Sequence, residues 1–154
     1  MREILFKAKR IDNGEWVEGC LVIDHSRPNL FEYRMQPVES GVLYAPPIKP
    51  ETICQFTGLY DKNENKIWEN DILMCHENSE DLVKVAFGEF SVRNIGTGSI
   101  VDKVIGWHYE VVPTDAISRC EPFSWSMPLT EYYIDMCEME VVDNPELLQE
   151  ESDE

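Results

Sequence analysis

The chain has 154 residues, 30 of them acidic and 13 basic, for a net charge of −17. Such a balance disfavours direct contact with nucleic acid, whose phosphates are neutralised by clustered Lys and Arg, and it repels anionic membrane surfaces. With 43% hydrophobic and 10% aromatic residues the composition is that of a folded domain, and a chain of this length hides about 70% of its unfolded surface without disulfide or metal staples.

The amino terminus MREILFKAKR lacks the apolar core of a secretory signal, and no run of apolar residues is long enough to cross a membrane, so a cytoplasmic protein is expected. Within that stretch Ile4, Phe6 and Ala8 alternate with Glu3, Lys7 and Lys9, the period of a half-buried strand. Asp12-Asn13-Gly14 supplies turn chemistry and EWVEGCLVID resumes the extended pattern, which predicts a hairpin over residues 2–23. Gly19 inside the second run predicts a bulge or a close backbone approach. Between Arg27 and Pro50, five prolines remove backbone donors; they restrict FEYRMQ and VLYA to edge strands and make APPIKP an extended connector.

ICQFTGLY and KIWENDILMC both read as strands, joined by the polar DKNEN. Asp61, Asn63 and Asn65 begin like a calcium loop, but the sixth position holds Lys66 instead of Gly and the twelfth holds Ile72 instead of a bidentate Glu. The stretch is therefore predicted to be a hairpin turn, since Asp and Asn bond their own backbone two residues onward. DLVKVAFGEFSVRNI predicts another hairpin around Gly88-Glu89, Gly96 to Ser99 a turn, and VDKVIGWHYEVVP a strand ended by Pro113. PFSWSMPLTEYY, interrupted by Pro122 and Pro128, is expected to lie over one end of a barrel. Thr130 to Met136 fits a short helix capped by Thr130 and fits a strand equally well; CEMEVV is a last strand, and Asn144 to Leu148 a helical turn with Pro145 at its first position. Many short strands with turns about every 8–12 residues and no long amphipathic helix place the fold in the mainly β class, as a barrel or sandwich. One domain is expected over residues 1–148, the alternative being lobes 1–50 and 51–148, with 149–154 a disordered acidic tail.

Three blocks, MREILFKAKR with GEWVEG, TGLYDKNENKIWENDI, and DNPELL, occur in an order and at positions that resemble the YopX family of phage and prophage proteins. The middle block of that family carries Gly after Asp-Lys-Asn and again between Glu and Asp, where this chain has Glu64 and Asn70. Both losses remove a residue that adopts positive φ easily. The resemblance implies a barrel of SH3-like character, a phage or prophage origin and hence a bacterial host cell, and a homo-oligomer. It implies no reaction and carries no site residue.

The chemistry-bearing residues form no convergent motif. The five cysteines (Cys20, Cys54, Cys75, Cys120, Cys137) are odd in number, widely spaced and without a C-x-x-C pair, which suits small buried side chains better than a disulfide framework. His25, His76 and His108 sit in different segments, and Cys75-His76, as strand neighbours, point to opposite faces and are poorly placed to share a metal. Cys54 with His108 as a nucleophile pair, and Glu69 with Asp71 as a glycosidase-like carboxylate pair, are weighed against buried thiol and solvated acids, and the latter are preferred. Trp16, Trp68, Trp107 and Trp125 are read as core or interface anchors, because stacking of single-stranded nucleic acid also needs a positive groove. No catalytic, cofactor-binding or metal residue is therefore expected, and no enzyme. Two functions remain: an accessory protein acting through protein contacts or self-assembly, and an acidic mimic of DNA that captures a basic host protein.

Overall fold

The computed structural model describes residues 3–26, 32–39, 41, 44–114, 120–122 and 124–142. Among them the strands form two antiparallel sheets of five, and six residues form an α-helix. The chain divides into two compact units, Met1–Gly58 and Leu59–Glu154.

In the first unit β1 (Phe6–Lys9) and β2 (Trp16–Ile23) form the expected hairpin, closed where the N–H of Gly14 donates to the Arg10 carbonyl. β3 (Tyr33–Pro37) lies on the other side of β2, and β4 (Cys54–Tyr60) pairs with β1. Gly19 is the close approach its position predicts: a Cβ there would fall 1.9 Å from the Gln36 carbonyl oxygen on β3. The proline-rich connector is more deeply committed than an extended linker. The carbonyls of Pro46 and Pro47 accept from Met35 and Ile11, which needs no proline donor, and Ile48 is fully buried with Ala8 and Met35. A 3-10 turn, Pro50–Thr52, then leads into β4.

The second unit starts along the end of β4. β5 (Lys66–Trp68), the fifth strand of the first sheet, and β6 (Ile72–Met74) were predicted as one strand, but a turn at Glu69–Asn70 separates them. The Asp71 carboxylate closes it by accepting the N–H of Trp68 at 2.8 Å. Asn70 takes φ 71° and Glu64 φ 63°, so both positions that carry glycine in the resembling family keep the left-handed backbone that glycine favours. Glu64 is exposed, so Glu64→Gly should raise stability by about 1 kcal/mol by relieving that strain; a melting temperature unchanged or lowered would contradict this.

β7 (Leu82–Arg93) is one continuous strand where a hairpin about Gly88 was expected. It pairs along its whole length with β8 (Ile100–Val112), with Gly88 opposite Gly106 and a bulge between Val92 and Arg93. Gly88, at φ 152°, keeps its place in the ladder without interrupting the register. With no side chain on the Gly88–Gly106 row, the rings of Phe90 and His108 on the flanking rows stack at 4.7 Å. The reversal comes at residues 94–99, where the Asn94 side chain accepts the N–H groups of Gly96 and Thr97.

β9 (Met127–Pro128) and β10 (Glu140–Val141) are the outer strands of the second sheet, whose order is β10-β6-β7-β8-β9. Between them α1 (Glu131–Met136) is the helix of the two readings offered for this segment; Thr130 Oγ1 accepts the Tyr133 N–H, and Ile134 is its buried anchor. The core of this unit gathers Ile67, Leu73, Val83, Val85, Tyr109 and Met139 around that anchor. The mainly β class stands; the closed barrel does not. Outer strands of two residues, one ending at Pro128, offer too few donors and acceptors for edge to meet edge. Residues 42–43 of the expected VLYA strand, the helical turn at 144–148 and the tail at 149–154 lie outside the described residues.

Candidate functional site

The calcium-like loop is built around its own carboxylate. Asp61, 5% exposed, accepts the N–H groups of Asn63 (2.9 Å), Asn65 (2.8 Å) and Val141 (2.9 Å), and its own N–H donates to the Asn65 carbonyl. Burial alone raises the carboxyl pKa, but the donors from Val141, Asn65 and Asn63 outweigh it and hold the group below its usual value. The polar sequence thus closes a turn and ties it to β10, using backbone donors where a calcium loop would use a cation.

The second unit holds an apolar cavity of about 680 Å³. Val83, Tyr109 and Val111 of the β7–β8 ribbon form one wall, Trp125 and Met127 another, and Tyr132, Tyr133, Met136 and Met139 on and after α1 a third. Two loop contacts shape its polar end: Cys75 N–H donates to the Asp81 carbonyl at 2.9 Å, and His76 N–H donates to the Cys137 carbonyl at 2.9 Å. Burial pushes the Cys75 thiol up to about 12, with nearby Asp81 adding to the effect, and the Cys137 thiol and the Tyr109 phenol rise for the same leading reason. These groups therefore stay protonated, and the thiols are poor nucleophiles at neutral pH.

Trp125 also borders a second, polar pocket of about 280 Å³ beside His108, Arg93 and Glu110. Its ring carries the Arg93 guanidinium 5.8 Å from its centroid, and its buried Nε1 has no hydrogen-bond partner among the described residues. The tip of the β7–β8 ribbon reaches the same ring, since a Cβ on Gly98 would meet it at 3.8 Å.

Each residue weighed on sequence grounds now has a place. His25 is exposed and 3.1 Å from Glu32; His76 faces Glu138 at 3.6 Å; His108, 3% exposed, is held by Phe90, the Gly106 carbonyl at 3.1 Å and Glu110 at 3.4 Å. The expected opposition of Cys75 and His76 fails because β6 ends at Met74 and His76 turns at φ 53°, so both line the cavity. Cys54 lies in the first unit, its thiol against the Thr52 carbonyl, while Cys20 and Cys120 are exposed, unlike the buried thiols expected. Glu69 lies in a turn and Asp71 just after it, not on one face of a strand, and Asp71 is engaged by Trp68. Trp68 is buried, Trp107 meets Phe87 edge-on at 5.0 Å, and exposed Trp16 carries the ammonium groups of Lys7 and Lys9 at 4.8 and 5.4 Å. No group of three His, Cys, Asp or Glu side chains fit to hold a metal ion exists among the described residues, and none of the helices described there is long and apolar enough to cross a membrane.

The cavity was invisible to sequence reasoning because its walls come from segments spread over residues 75 to 139. The one local signal was the density of Met, Tyr and Cys between Met127 and Met139, which the strand-or-helix question absorbed. Among curated proteins none matches this chain. A family model described as YopX protein, however, matches residues 5–149, nearly the full length, and the chain belongs to the YopX protein family.

Proposed function

We propose that this protein is a non-catalytic accessory component of phage or prophage origin, acting in the bacterial cytoplasm by associating with further copies of itself through the β7–β8 ribbon. One observation carries the reading. The ribbon exposes Phe87 (56%), Val101 (65%) and Ile105 (74%), and over residues 82–112 its Lys84, Arg93 and Lys103 balance Glu89, Asp102 and Glu110. The whole charge of −17 thus falls elsewhere in the chain. A neutral apolar ribbon is the surface on which two strongly acidic copies can meet without strong repulsion. The state of the reactive groups agrees with a role outside catalysis: the Cys75 thiol is held at about 12, and His108 is enclosed by partners.

Light scattering should give a discrete multimer, and Ile105→Asp with Val101→Asp should weaken association at least about 30-fold, the factor matching roughly 2 kcal/mol for an interface hot spot. Melting of the dissociated protein should hardly change, since both side chains are exposed. A wild-type protein that is monomeric at every accessible concentration refutes the proposal. The same charge asymmetry supports a second reading, a decoy for a basic host protein; salt separates the two, because capture of such a partner weakens steeply as salt rises whereas apolar self-association does not.

A further inference from the structure

We propose that the cavity of about 680 Å³ in the second unit is a binding site for an uncharged apolar small molecule. Its volume falls in the range of small-molecule sites, roughly 300–1,000 Å³, and apolar side chains make most of its wall. The groups at its polar end are occupied with one another. The Cys75 N–H donates to the Asp81 carbonyl at 2.9 Å, the Asp81 N–H to the Asn78 carbonyl at 3.0 Å, and the Asn78 N–H to the Cys75 carbonyl at 3.0 Å, so three backbone units close a ring. Asn78 Oδ1 accepts the Glu80 N–H at 3.0 Å, and His76 gives its N–H to the Cys137 carbonyl while its imidazole faces Glu138 at 3.6 Å. A polar ligand would have to break these bonds to be held, whereas an apolar one leaves them as they are.

Charge on the ligand is disfavoured for a second reason. No Lys or Arg is found among the described residues that line the cavity, and Asp81, the acid among them, has interactions of its own to serve. Burial holds the Cys75 thiol at about 12 and raises the Tyr109 phenol as well, so both line the cavity uncharged at neutral pH. An ion of either sign would leave water for a wall whose charged groups are already engaged. The wall is also adaptable: Met127, Met136 and Met139 belong to it, and thioether side chains with several rotatable bonds repack around bodies of different outline. Tyr132 and Met136, 68% and 50% exposed, belong to the same lining and connect it with solvent.

The test uses the full chain and three probes that share a naphthalene body: neutral acetylnaphthalene, anionic naphthoate and cationic naphthylmethylammonium. The neutral probe should bind at least about tenfold more tightly than either ion, and the methyl resonances of Met127, Met136 and Met139 should shift on its addition. Val111→Trp, which fills part of the cavity, should weaken the neutral probe at least about tenfold. Met136→Asp, at a position 50% exposed where a polar side chain is tolerated, should weaken it severalfold; its melting without probe should match the wild type, which separates lost binding from lost folding. Either ion binding as well as the neutral probe, binding by none of the three, shifts confined to residues outside the cavity, or a Met136→Asp protein with unaltered affinity would each overturn the assignment. So would shifts of the same methyl groups produced by raising the protein concentration alone, which would give the cavity to a second copy of the chain.

Discussion

Asp61→Ala should destabilise the second unit by about 3 kcal/mol, read as a lower denaturation midpoint with an unchanged slope. The side chain is 5% exposed and serves the N–H groups of Asn63, Asn65 and Val141, so alanine strands three donors at once and the loop loses its bond to Val141 of β10. Asparagine keeps one acceptor oxygen and should cost less. The same site makes stability depend on acid. The folded carboxyl titrates below the ordinary carboxylate value of 3.8, so the unfolded chain binds the proton more readily. The stabilisation is then complete above that value and is lost as pH falls through the folded pKa. Wild-type protein should therefore lose more stability than Asp61→Asn on acidification below about pH 4; parallel pH profiles for the two would show that the ionised form contributes nothing.

The second large effect falls in the first unit. Gly19→Ala should cost about 3 kcal/mol or more, because its Cβ would lie 1.9 Å from the Gln36 carbonyl oxygen and 2.7 Å from its carbon. Both are backbone atoms of β3, so relief requires β3 to leave β2, and with it the five-residue register from Gly19–Pro37 to Ile23–Tyr33. Gly106→Ala is the natural contrast. A Cβ there meets nothing within 4 Å, and a change of under about 0.5 kcal/mol is expected. Equal losses at the two positions would show that generic glycine effects, and not the approach of β3, decide the outcome.

How much of this was legible beforehand depends on whether the deciding contact is near in sequence. The β1–β2 hairpin, the Asp61 turn and the long β8 each declare themselves through alternation or turn chemistry within a few residues, whereas the segment from Thr130 fitted helix and strand equally. The errors have the opposite character. Gly88-Glu89 carries a turn signal, yet Gly106 across the ladder and the Phe90–His108 stack keep β7 extended. KIWENDILMC reads as one extended run, yet the Asn70 N–H finds the Val85 carbonyl at 2.9 Å and the chain turns. The cavity was illegible for the same reason, since Val83 and Met139 become neighbours only through the packing of the core. Glu64 and Asn70 mark a middle case: the family pattern identifies the backbone these positions need, and the chain adopts it although its own residues favour it less than glycine.

The four residues 139–142 reach back to the start of the unit: the Met139 carbonyl accepts the Lys62 N–H, Glu140 accepts from Asn63, the Val141 N–H meets Asp61, and the Val142 N–H donates to Ile72. A nascent chain cannot lock the DKNEN loop until these late residues have left the ribosome, some 80 positions after the aspartate they secure. A product terminated before residue 139 would lack all four of these contacts and leave the loop unfastened.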